Sequence, residues 1–325
     1  MSHAIRFDQT GGPDVLQWVP LDVPPPGPGE VSLKHTAVGL NYIDTYHRSG
    51  LYPVPMPSGL GCEAAGVITA VGDGVDGFSV GDRVAYASGP LGAYAEARTL
   101  PASVLVRLPD AISDEVAAAV MLQGLTAQYL LRQTYPVEAG ETILVHAAAG
   151  GVGLLMCQWA KHLGVTVIGT VGSPEKAALA KANGCDHTIL YRQDSFLDAV
   201  KDITGGEGVP VVYDAVGKDT FMDSLACLQP MGTMVSFGNA SGAVPPIDIG
   251  ILAKMGSLFL TRPTLFSYIA DRERLDAMAA DLFNVIAKGA VKVQINQRYP
   301  LADAAQAHRD LEARNTTGST VLVVS

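Results

Sequence analysis

The chain has 325 residues, of which 48% are hydrophobic and 17% charged, and its formal net charge is −10. This length suits two domains, and the composition is that of a globular protein. The acidic balance argues against a nucleic-acid or anionic-membrane surface, because both need clustered Lys and Arg. The sequence has no apolar run of roughly 18 residues, no signal-peptide core and no metal-like pair among its four cysteines. We therefore expect a soluble cytoplasmic protein.

Residues 1 to about 110 have the character of strands and turns. Short β-rich runs at residues 31–40, 65–71 and 83–87 are separated by clusters of Gly and Pro. This pattern favours a β-barrel-like domain. Ser113, followed by two acidic residues, then predicts the start of a helix, because a hydroxyl caps the first amides and acids favour the positive end of the helix dipole.

From residue 141 onward, strands and helices alternate. Apolar runs predict strands at residues 143–145, 165–171, 188–190, 209–213, 233–237 and 257–260. Helical segments lie between the first five of these strands. Continuous apolar strands joined by helices predict a parallel sheet covered on both faces. The chain continues with predicted helices at 275–286 and 302–313 and a last strand at 320–324.

The segment from Gly140 to Lys161 is the strongest local signal. It predicts a buried strand that turns through glycines directly into an amphipathic helix, which would present helix N-terminal amides to a pyrophosphate. We expect Gly150 to let the backbone approach the pyrophosphate and Gly153 to let the helix pack on the strand. Ala148 occupies the place of the usual first glycine. The position of this turn in a strand–helix series predicts a dinucleotide-binding site.

The residues after the second strand of this series favour NADPH over NADH. An NAD site carries an acidic residue at the end of that strand, where this chain has Val171. The missing carboxylate removes repulsion toward a 2′-phosphate. Gly172 and Ser173 offer amides and a hydroxyl, and Lys176 offers a charge one helical turn later. Two further residues end the third strand and are predicted to close the same pocket: Tyr191 and Arg192.

The glycine turn also resembles the signature of a known family. The segment is similar to the signature of the quinone oxidoreductase/ζ-crystallin group of medium-chain dehydrogenases/reductases. The residues that carry this resemblance are Gly140-Glu141-x-x-Leu144-x-x-x-Ala148-Ala149-Gly150-Gly151-x-Gly153-x-x-x-x-Gln158-x-x-Lys161. Residues 39–44, 61–66 and 77–84 extend the resemblance, which covers essentially the whole chain.

This resemblance implies an α/β protein with two domains. A GroES-like β-rich catalytic domain, residues 1–122 and 262–325, would be interrupted by a Rossmann doubly wound parallel-sheet domain that binds NADPH, residues 123–261. Cofactor and substrate would lie in the cleft between them. The resemblance also implies a homodimer formed by edge strands of the Rossmann domain, for which residues 257–261 are the candidate.

The wider superfamily includes zinc alcohol dehydrogenases, so the metal must be judged from the residues present. Where those enzymes carry a first-ligand Cys, this chain has Asn41, and where they carry a His it has Cys62, before Glu63. The four-cysteine lobe is absent at residues 86–96. Because an amide is a poor zinc ligand and one thiolate does not hold a metal, we predict no zinc and a buried structural Cys62.

Without a Lewis acid, the site must polarise a substrate carbonyl by hydrogen bonds. By resemblance, Asn41, Tyr46 and Tyr52 lie in the substrate cleft. Asn41 would donate an amide hydrogen to the nicotinamide carboxamide or ribose, and the tyrosines would hydrogen-bond a quinone oxygen and stack on its ring. Asp44 is expected to hold the loop that carries them, and His47 to lie at the surface. The resemblance adds six residues that would line the cofactor: Tyr129, Gly151, Val152, Phe237, Gly238 and Arg314.

The sequence thus predicts a zinc-independent NADPH:quinone oxidoreductase. One alternative is an NADPH-dependent enone or 2-enoyl-thioester reductase, which uses the same hydride but protonates the neighbouring carbon. An acyl-CoA substrate would need a basic patch, for which only Lys34, His35 and Arg48 are near the expected cleft. An alternative of another class is a non-catalytic crystallin-like or AU-rich RNA-binding protein, since a fold alone does not guarantee turnover. The acidic charge disfavours the RNA role.

Overall fold

A computed structural model of the chain describes residues 2–324. The chain divides into two compact units. The first unit comprises the chain up to Leu125, Ile269–Ala287 and the stretch from Val293 onward, and the second comprises Thr126–Tyr268 and Lys288–Lys292. Within residues 2–324, no helix has both the length and the apolar character needed to cross a membrane.

The strands and helices are given in chain order. The N-terminal part contains β1 (Ser2–Phe7), β2 (Gln17–Leu21), β3 (Glu30–Leu40), α1 (Tyr42–Ser49), β4 (Ser58–Gly59), β5 (Ala64–Val71), β6 (Arg83–Tyr86), β7 (Ala97–Pro101), β8 (Val106–Arg107) and α2 (Asp114–Tyr129). The middle part contains β9 (Thr142–Val145), α3 (Gly151–His162), β10 (Thr166–Val171), α4 (Pro174–Ala182), β11 (His187–Leu190), α5 (Phe196–Ile203), β12 (Val209–Asp214), α6 (Phe221–Ala226), β13 (Leu228–Ser236), α7 (Gly250–Lys254), β14 (Phe259–Thr261) and α8 (Leu265–Tyr268). The C-terminal part contains α9 (Arg272–Ala287), β15 (Ile295–Pro300), α10 (Ala304–Glu312) and β16 (Ser319–Val323).

The first unit is built on β3, the longest strand of its main sheet. The strands of that sheet follow the order β15-β16-β3-β5-β6-β8, with β7 also paired to β3, and β2-β1-β4 form a smaller sheet. Alternate side chains of β3 enter the core, where Val31, Leu33 and Ala37 are fully buried. The prediction of a β-rich domain is confirmed. Ser113 also caps α2 as predicted, since its Oγ accepts a hydrogen bond from the amide of Val116 at 3.3 Å.

Helix α1 is a departure from the prediction, which placed its residues in a loop. The backbone amide of Asn41 donates to Asp44 Oδ2 at 2.9 Å, and this bond closes the first turn. The helix ends at Gly50, whose φ of 87° lies in the left-handed region that favours glycine. Asp44 therefore holds a helix start, and Tyr46 and His47 project from a helix.

The second unit contains a six-stranded sheet whose neighbouring strands are all parallel, in the order β11-β10-β9-β12-β13-β14. With β9 as the first strand, this is the 3-2-1-4-5-6 order of doubly wound dinucleotide-binding sheets. The chain reverses its winding between β9 and β12, and ligands bind outside the carboxyl ends of strands at such a point. All six predicted strands are present, with β13 beginning earlier, at Leu228. The α/β fold class is confirmed.

His35 is buried in the main sheet of the first unit and is fully hydrogen-bonded as a neutral ring. Its Nδ1 lies 2.6 Å from the Ala95 carbonyl oxygen, and its Nε2 lies 3.0 Å from the Tyr86 hydroxyl. Because the carbonyl oxygen can only accept, Nδ1 carries the proton and Nε2 accepts from Tyr86. Arg98 donates in turn to the Tyr86 oxygen at 3.4 Å. Burial, with a smaller contribution from the Arg98 charge, lowers the pKa of His35 to about 4.

We expect His35 to make the free energy of unfolding fall as the pH drops. The unfolded chain takes up a proton near the ordinary pKa of 6.5, whereas the folded ring stays neutral down to about 4. The contribution of His35 to the free energy of unfolding is therefore fully present above pH 6.5. It is lost as the pH falls from 6.5 to about 4, by up to about 3 kcal/mol. Urea unfolding across this range should give His35→Leu a shallower pH slope than wild type, by up to about 1.4 kcal/mol per pH unit. Parallel slopes would contradict the assignment. Burial also lowers the pKa of His308, to about 3, so only the difference between the two proteins isolates His35.

Candidate active site

In the second unit, the glycine turn between β9 and α3 has room for a side chain at Gly150 but none at Gly153. Ala147 adopts a φ of 54°, and Gly150 precedes the first helical residue, Gly151. A Cβ on Gly153 would lie 2.3 Å from the Ala147 carbonyl oxygen and 2.8 Å from Ala148 Cα. A Cβ on Gly150 would meet only the Ala147 oxygen, at 3.2 Å. Gly153 thus lets α3 pack on the strand end, whereas the protein itself leaves space above Gly150.

A buried hydrogen-bond chain joins the carboxyl ends of three strands next to this turn. His146 Nε2 lies 2.9 Å from Ser224 Oγ, and His146 Nδ1 lies 2.9 Å from Thr170 Oγ1. Ser224 donates its hydroxyl proton to Asp214 Oδ2 at 3.2 Å. The Ser224 oxygen must therefore accept from His146 Nε2, and His146 Nδ1 accepts from Thr170. Burial lowers the pKa of His146, so a neutral ring of defined tautomer holds β9, β10 and β12 in register.

The residues predicted to bind the 2′-phosphate lie together at the ends of β10 and β11. Ser173 caps α4, and its Oγ accepts a hydrogen bond from the amide of Lys176 at 3.3 Å. A Cβ on Gly172 would lie 3.2 Å from the Tyr191 hydroxyl and 3.6 Å from Arg192 Nε. The turn after β10 is thus flanked by a phenol and a guanidinium, and β10 ends in an apolar residue instead of an acid.

Three more predicted cofactor residues belong to the second unit. Phe237 follows β13, and its amide donates to the Asp214 carbonyl oxygen at 2.8 Å. Gly238 is held so closely that a Cβ would lie 2.4 Å from the Ala215 carbonyl oxygen. Tyr129 is buried, and its ring stacks on Tyr268 with 4.3 Å between centroids. Phe237 and Gly238 share the carboxyl edge of the sheet with the glycine turn, and Val152 lies in the first turn of α3.

In the first unit, Asn41 sits in a buried amide–carboxylate network. Its Nδ2 donates to Glu63 Oε2 at 2.6 Å, and its Oδ1 accepts from Gln123 Nε2 at 3.1 Å. Ser319 donates to Gln123 Oε1 at 2.8 Å, and the Leu122 amide donates to Glu63 Oε1 at 2.7 Å. The second hydrogen on Asn41 Nδ2 takes part in none of these bonds. The prediction named neither Glu63 nor Gln123 as a site residue, because no local motif connects them to Asn41.

Helix α1 and the segment after it form an aromatic group. The Tyr46 and Tyr52 rings meet edge to face at 5.1 Å, and the Tyr42 and Tyr46 rings lie 5.6 Å apart. Tyr46 is buried, at 8% exposure. The prediction that His47 lies at the surface is wrong, because α1 turns its ring toward Tyr52, with 6.0 Å between centroids. The two tyrosines assigned to substrate binding are therefore neighbours.

Two carboxyl groups beside these residues are fully buried. Burial raises the pKa of Asp44 to about 7 and that of Glu63 to about 8, although both accept hydrogen bonds that favour the ionised form. Burial also raises the pKa of the Cys62 thiol, with added contributions from the two carboxylates. The prediction that Cys62 is buried is confirmed.

Arg314, the remaining predicted residue, belongs to the first unit. It follows α10 with a φ of 62°, in the left-handed region. Its charge acts on the Tyr42 phenol, whose pKa burial nevertheless raises. The structure thus places Arg314 beside α1, and its contact with a cofactor stays a prediction.

Comparison with known proteins gives matches along the whole chain. Residues 151–284 match the family model described as zinc-binding dehydrogenase, and residues 27–110 match the alcohol dehydrogenase GroES-like domain. The chain is 58% identical to a quinone oxidoreductase of Pseudomonas aeruginosa over 99% of this chain and 100% of that protein. It is 47% identical to a 2-haloacrylate reductase of a Burkholderia species over 99% of each chain. A crystal structure of Escherichia coli quinone oxidoreductase complexed with NADPH superposes with a TM-score of 0.97, at 51% identity and 99% coverage of each chain.

Proposed function

The chain belongs to the quinone oxidoreductase group of the medium-chain dehydrogenase/reductase superfamily, and we propose that it is a zinc-independent NADPH:quinone oxidoreductase. The observation that carries this proposal is the carboxyl edge of the parallel sheet. There the close-packed turn at Gly150 opens a helix, and the Gly172 turn lies against Arg192 with no acid at the strand end. These are the features of a site for a dinucleotide with a 2′-phosphate.

NADPH supplies the reducing equivalents when it is bound, and the residues of the chain position it. The first amides of α3 receive the pyrophosphate, where the helix dipole favours negative charge. Ser173, Lys176 and Arg192 bind the 2′-phosphate through a hydroxyl and two charges. The remaining amide hydrogen of Asn41 is the donor proposed for the nicotinamide carboxamide or ribose.

The quinone oxygen is proposed to accept a hydrogen bond from Tyr46, with Tyr52 packed beside it. A protonated phenol donates one hydrogen bond through its hydroxyl. Because Tyr46 is buried, water competes weakly for that bond, and its contribution is larger than at the surface.

The name of the matched zinc-binding family raises the question of a catalytic metal. Asn41, at the expected first-ligand position, already uses its Oδ1 to accept from Gln123 and one Nδ2 hydrogen to donate to Glu63. An amide held in this way does not fit a zinc ligand set. No step of the proposed reaction therefore runs through a metal.

We expect Tyr46→Phe to lower kcat/KM for quinones roughly 10-fold while leaving the NADPH Kd unchanged. The substitution removes one hydrogen bond to the substrate, which contributes about 1.4 kcal/mol, and keeps the ring. Steady-state NADPH oxidation and cofactor titration measure the two effects. Tyr42→Phe is the matched control, because Tyr42 lies on the same helix and packs on the same ring. The assignment fails if Tyr46→Phe, Tyr52→Phe and Asn41→Ala all turn over every accepted quinone at the wild-type rate.

A second candidate function is the reduction of a conjugated carbonyl, and the 2-haloacrylate reductase relative favours it. An acyl-CoA ester is a weaker proposal, because two of the three basic residues predicted near the cleft are engaged elsewhere. His35 is buried, and the Arg48 guanidinium, also buried, donates to Glu312 at 2.6 Å and contacts His308 at 2.9 Å. NADPH oxidation with quinones, enones and enoyl thioesters under one set of conditions distinguishes these classes.

We also propose a homodimer formed through β14. This strand is the edge of the six-stranded sheet, and its Phe259 is 62% exposed. An exposed apolar edge strand is a template for pairing with a second copy. Light scattering tests this, and a monomer mass at micromolar concentration would contradict it.

We propose a cytoplasmic location and separate roles for the two domains. The four cysteines are free and buried, which suits the reducing cytoplasm. The proposed functional division keeps residues 1–122 and 262–325 for catalysis and residues 123–261 for NADPH. Because the chain has a net charge of −10, we propose that it has no nucleic-acid partner.

A further inference from the structure

Three metal-ligating side chains converge in the interior of the first unit. Asp44 and His47 lie three residues apart on α1, so both face the same side of the helix, and Cys62 comes from the segment before β5. One donor atom from each residue lies within 4.8 Å of the other two. All three residues are buried. None of them takes part in the proposed quinone chemistry.

Two atoms in this group lack the partners that buried polar atoms normally have. Asp44 Oδ1 and His47 Nδ1 are the buried side-chain nitrogen or oxygen atoms of residues 2–324 without a hydrogen-bond partner. Asp44 Oδ2, in contrast, accepts from the Asn41 amide at 2.9 Å and from Tyr94 Oη at 2.8 Å. Leaving a buried polar atom unpaired costs about 1–3 kcal/mol. Both unpaired atoms belong to residues of the group that includes Cys62, so a cation that bonds to these atoms would remove the cost.

We propose that Asp44 Oδ1, His47 Nδ1 and Cys62 Sγ bind a thiophilic divalent cation, of which Zn²⁺ and Cd²⁺ are the test cases. Carboxylate, imidazole and thiolate are the protein ligands that such ions prefer. With bonds of about 2.0–2.3 Å to the metal, ligand atoms in a tetrahedral site lie about 3.3–3.8 Å apart. The three donor atoms lie within 4.8 Å of one another, so small side-chain rotations bring them to that spacing. Binding releases the Cys62 thiol proton to solvent, together with the proton of any Asp44 carboxyl that is protonated, and the carboxylate and thiolate then balance the two positive charges.

The surrounding residues already provide the outer hydrogen bonds of such a site. Tyr94 and the Asn41 amide hold Asp44 Oδ2, so Oδ1 is the carboxylate oxygen that is left to bind a cation. This ligand set excludes the Asn41 side chain, but Cys62 stands where the zinc dehydrogenases carry a ligand His, so a bound Zn²⁺ would correct the prediction that this chain holds no zinc. Its role is to tie α1 to the Cys62 segment, and it does not depend on the proposed quinone activity.

The test is a titration of the chelator-treated full-length protein with Cd²⁺, followed by ultraviolet absorption and by thermal unfolding. We expect one Cd²⁺ per chain, a thiolate-to-metal absorption band, and a Tm that rises with Cd²⁺ concentration. Cys62→Ser should remove the band and weaken binding by about 100-fold or more, the cost expected for losing one strong ligand. Asp44→Asn should weaken binding with the thiol still present. Competition with Zn²⁺ should displace the Cd²⁺ band.

Other thiols provide the controls. Cys227→Ser removes a buried thiol in the second unit and should leave the band and the Kd unchanged. A band that survives Cys62→Ser and disappears in Cys157→Ser would assign the metal to Cys157 and Cys185, which interact with each other, and would overturn the proposal. The absence of stoichiometric Cd²⁺ binding at micromolar concentration would overturn it as well. Neither result depends on quinone turnover.

Discussion

Alanine substitutions at Gly150 and Gly153 are expected to separate cofactor binding from folding. Gly150→Ala should weaken NADPH binding roughly 100-fold with little change in Tm. Its Cβ meets a single protein atom at 3.2 Å, so the fold tolerates it, but the added methyl group occupies the space proposed for the pyrophosphate. Gly153→Ala should lower the free energy of unfolding by about 3 kcal/mol, because its Cβ falls 2.3 Å from a backbone oxygen. Backbone at that position moves only if α3 is displaced.

Calorimetric titration with NADPH and urea unfolding measure the two effects independently. Gly12→Ala is a matched control, since a Cβ there contacts nothing within 4 Å and the backbone φ is −69°. If Gly150→Ala binds NADPH with wild-type affinity, the pyrophosphate does not lie against this turn. If Gly153→Ala unfolds like wild type, the close packing of α3 on the strand end carries no stability.

Substitution of Arg192 and Lys176 by alanine is expected to change cofactor preference. Each change should raise the NADPH Kd by about 10- to 100-fold and leave the NADH Kd unchanged, since NADH lacks the 2′-phosphate. A hydrogen bond to a charged group contributes about 1.5–3 kcal/mol, and 1.4 kcal/mol corresponds to a factor of ten. Arg192 should have the larger effect, because its guanidinium already lies beside the Gly172 turn.

Fluorescence titration with both cofactors measures this change in preference. Lys181→Ala is the matched control, because Lys181 lies on the same helix, near its C-terminal end. If the substitutions weaken the affinities for NADPH and NADH equally, these charges lie at the pyrophosphate, which both cofactors share. An unchanged ratio of the two affinities would show that the 2′-phosphate binds elsewhere.

The second unit could be predicted from sequence because its signals are local. The end of a strand, the glycine turn and the first turn of a helix occupy consecutive residues, as at Gly150 and Gly153 or at Gly172 and Ser173. Backbone sterics and helix capping act over such short distances. The apolar runs of the strands then determine a sheet with both faces covered, and the handedness of the crossovers restricts its strand order. The same local logic explains why Ser113 was correctly predicted to cap α2.

Local signals were weakest at α1 in the first unit. Tyr42, Thr45 and Tyr46 have modest helix propensity, so residues 41–48 carry no strong local signal for a helix. The helix forms because Asp44 closes its first turn, and Tyr94, from 50 residues further along the chain, anchors the same carboxylate at 2.8 Å. The burial of His47 follows from that helix and has no signal of its own.

By itself, the sequence indicated the family, the glycine turn and the strand end without an acidic residue, because each of these depends on neighbouring residues or on a motif. Only the tertiary structure decided which partners occupy the interior of the first unit. Glu63 and Gln123 bind Asn41 across 22 and 82 residues of chain. Asp44, His47 and Cys62 meet with two of their donor atoms unpaired. Hydrogen bonding and metal ligation depend on distances in space, which a linear pattern does not specify when the chain between the partners is long.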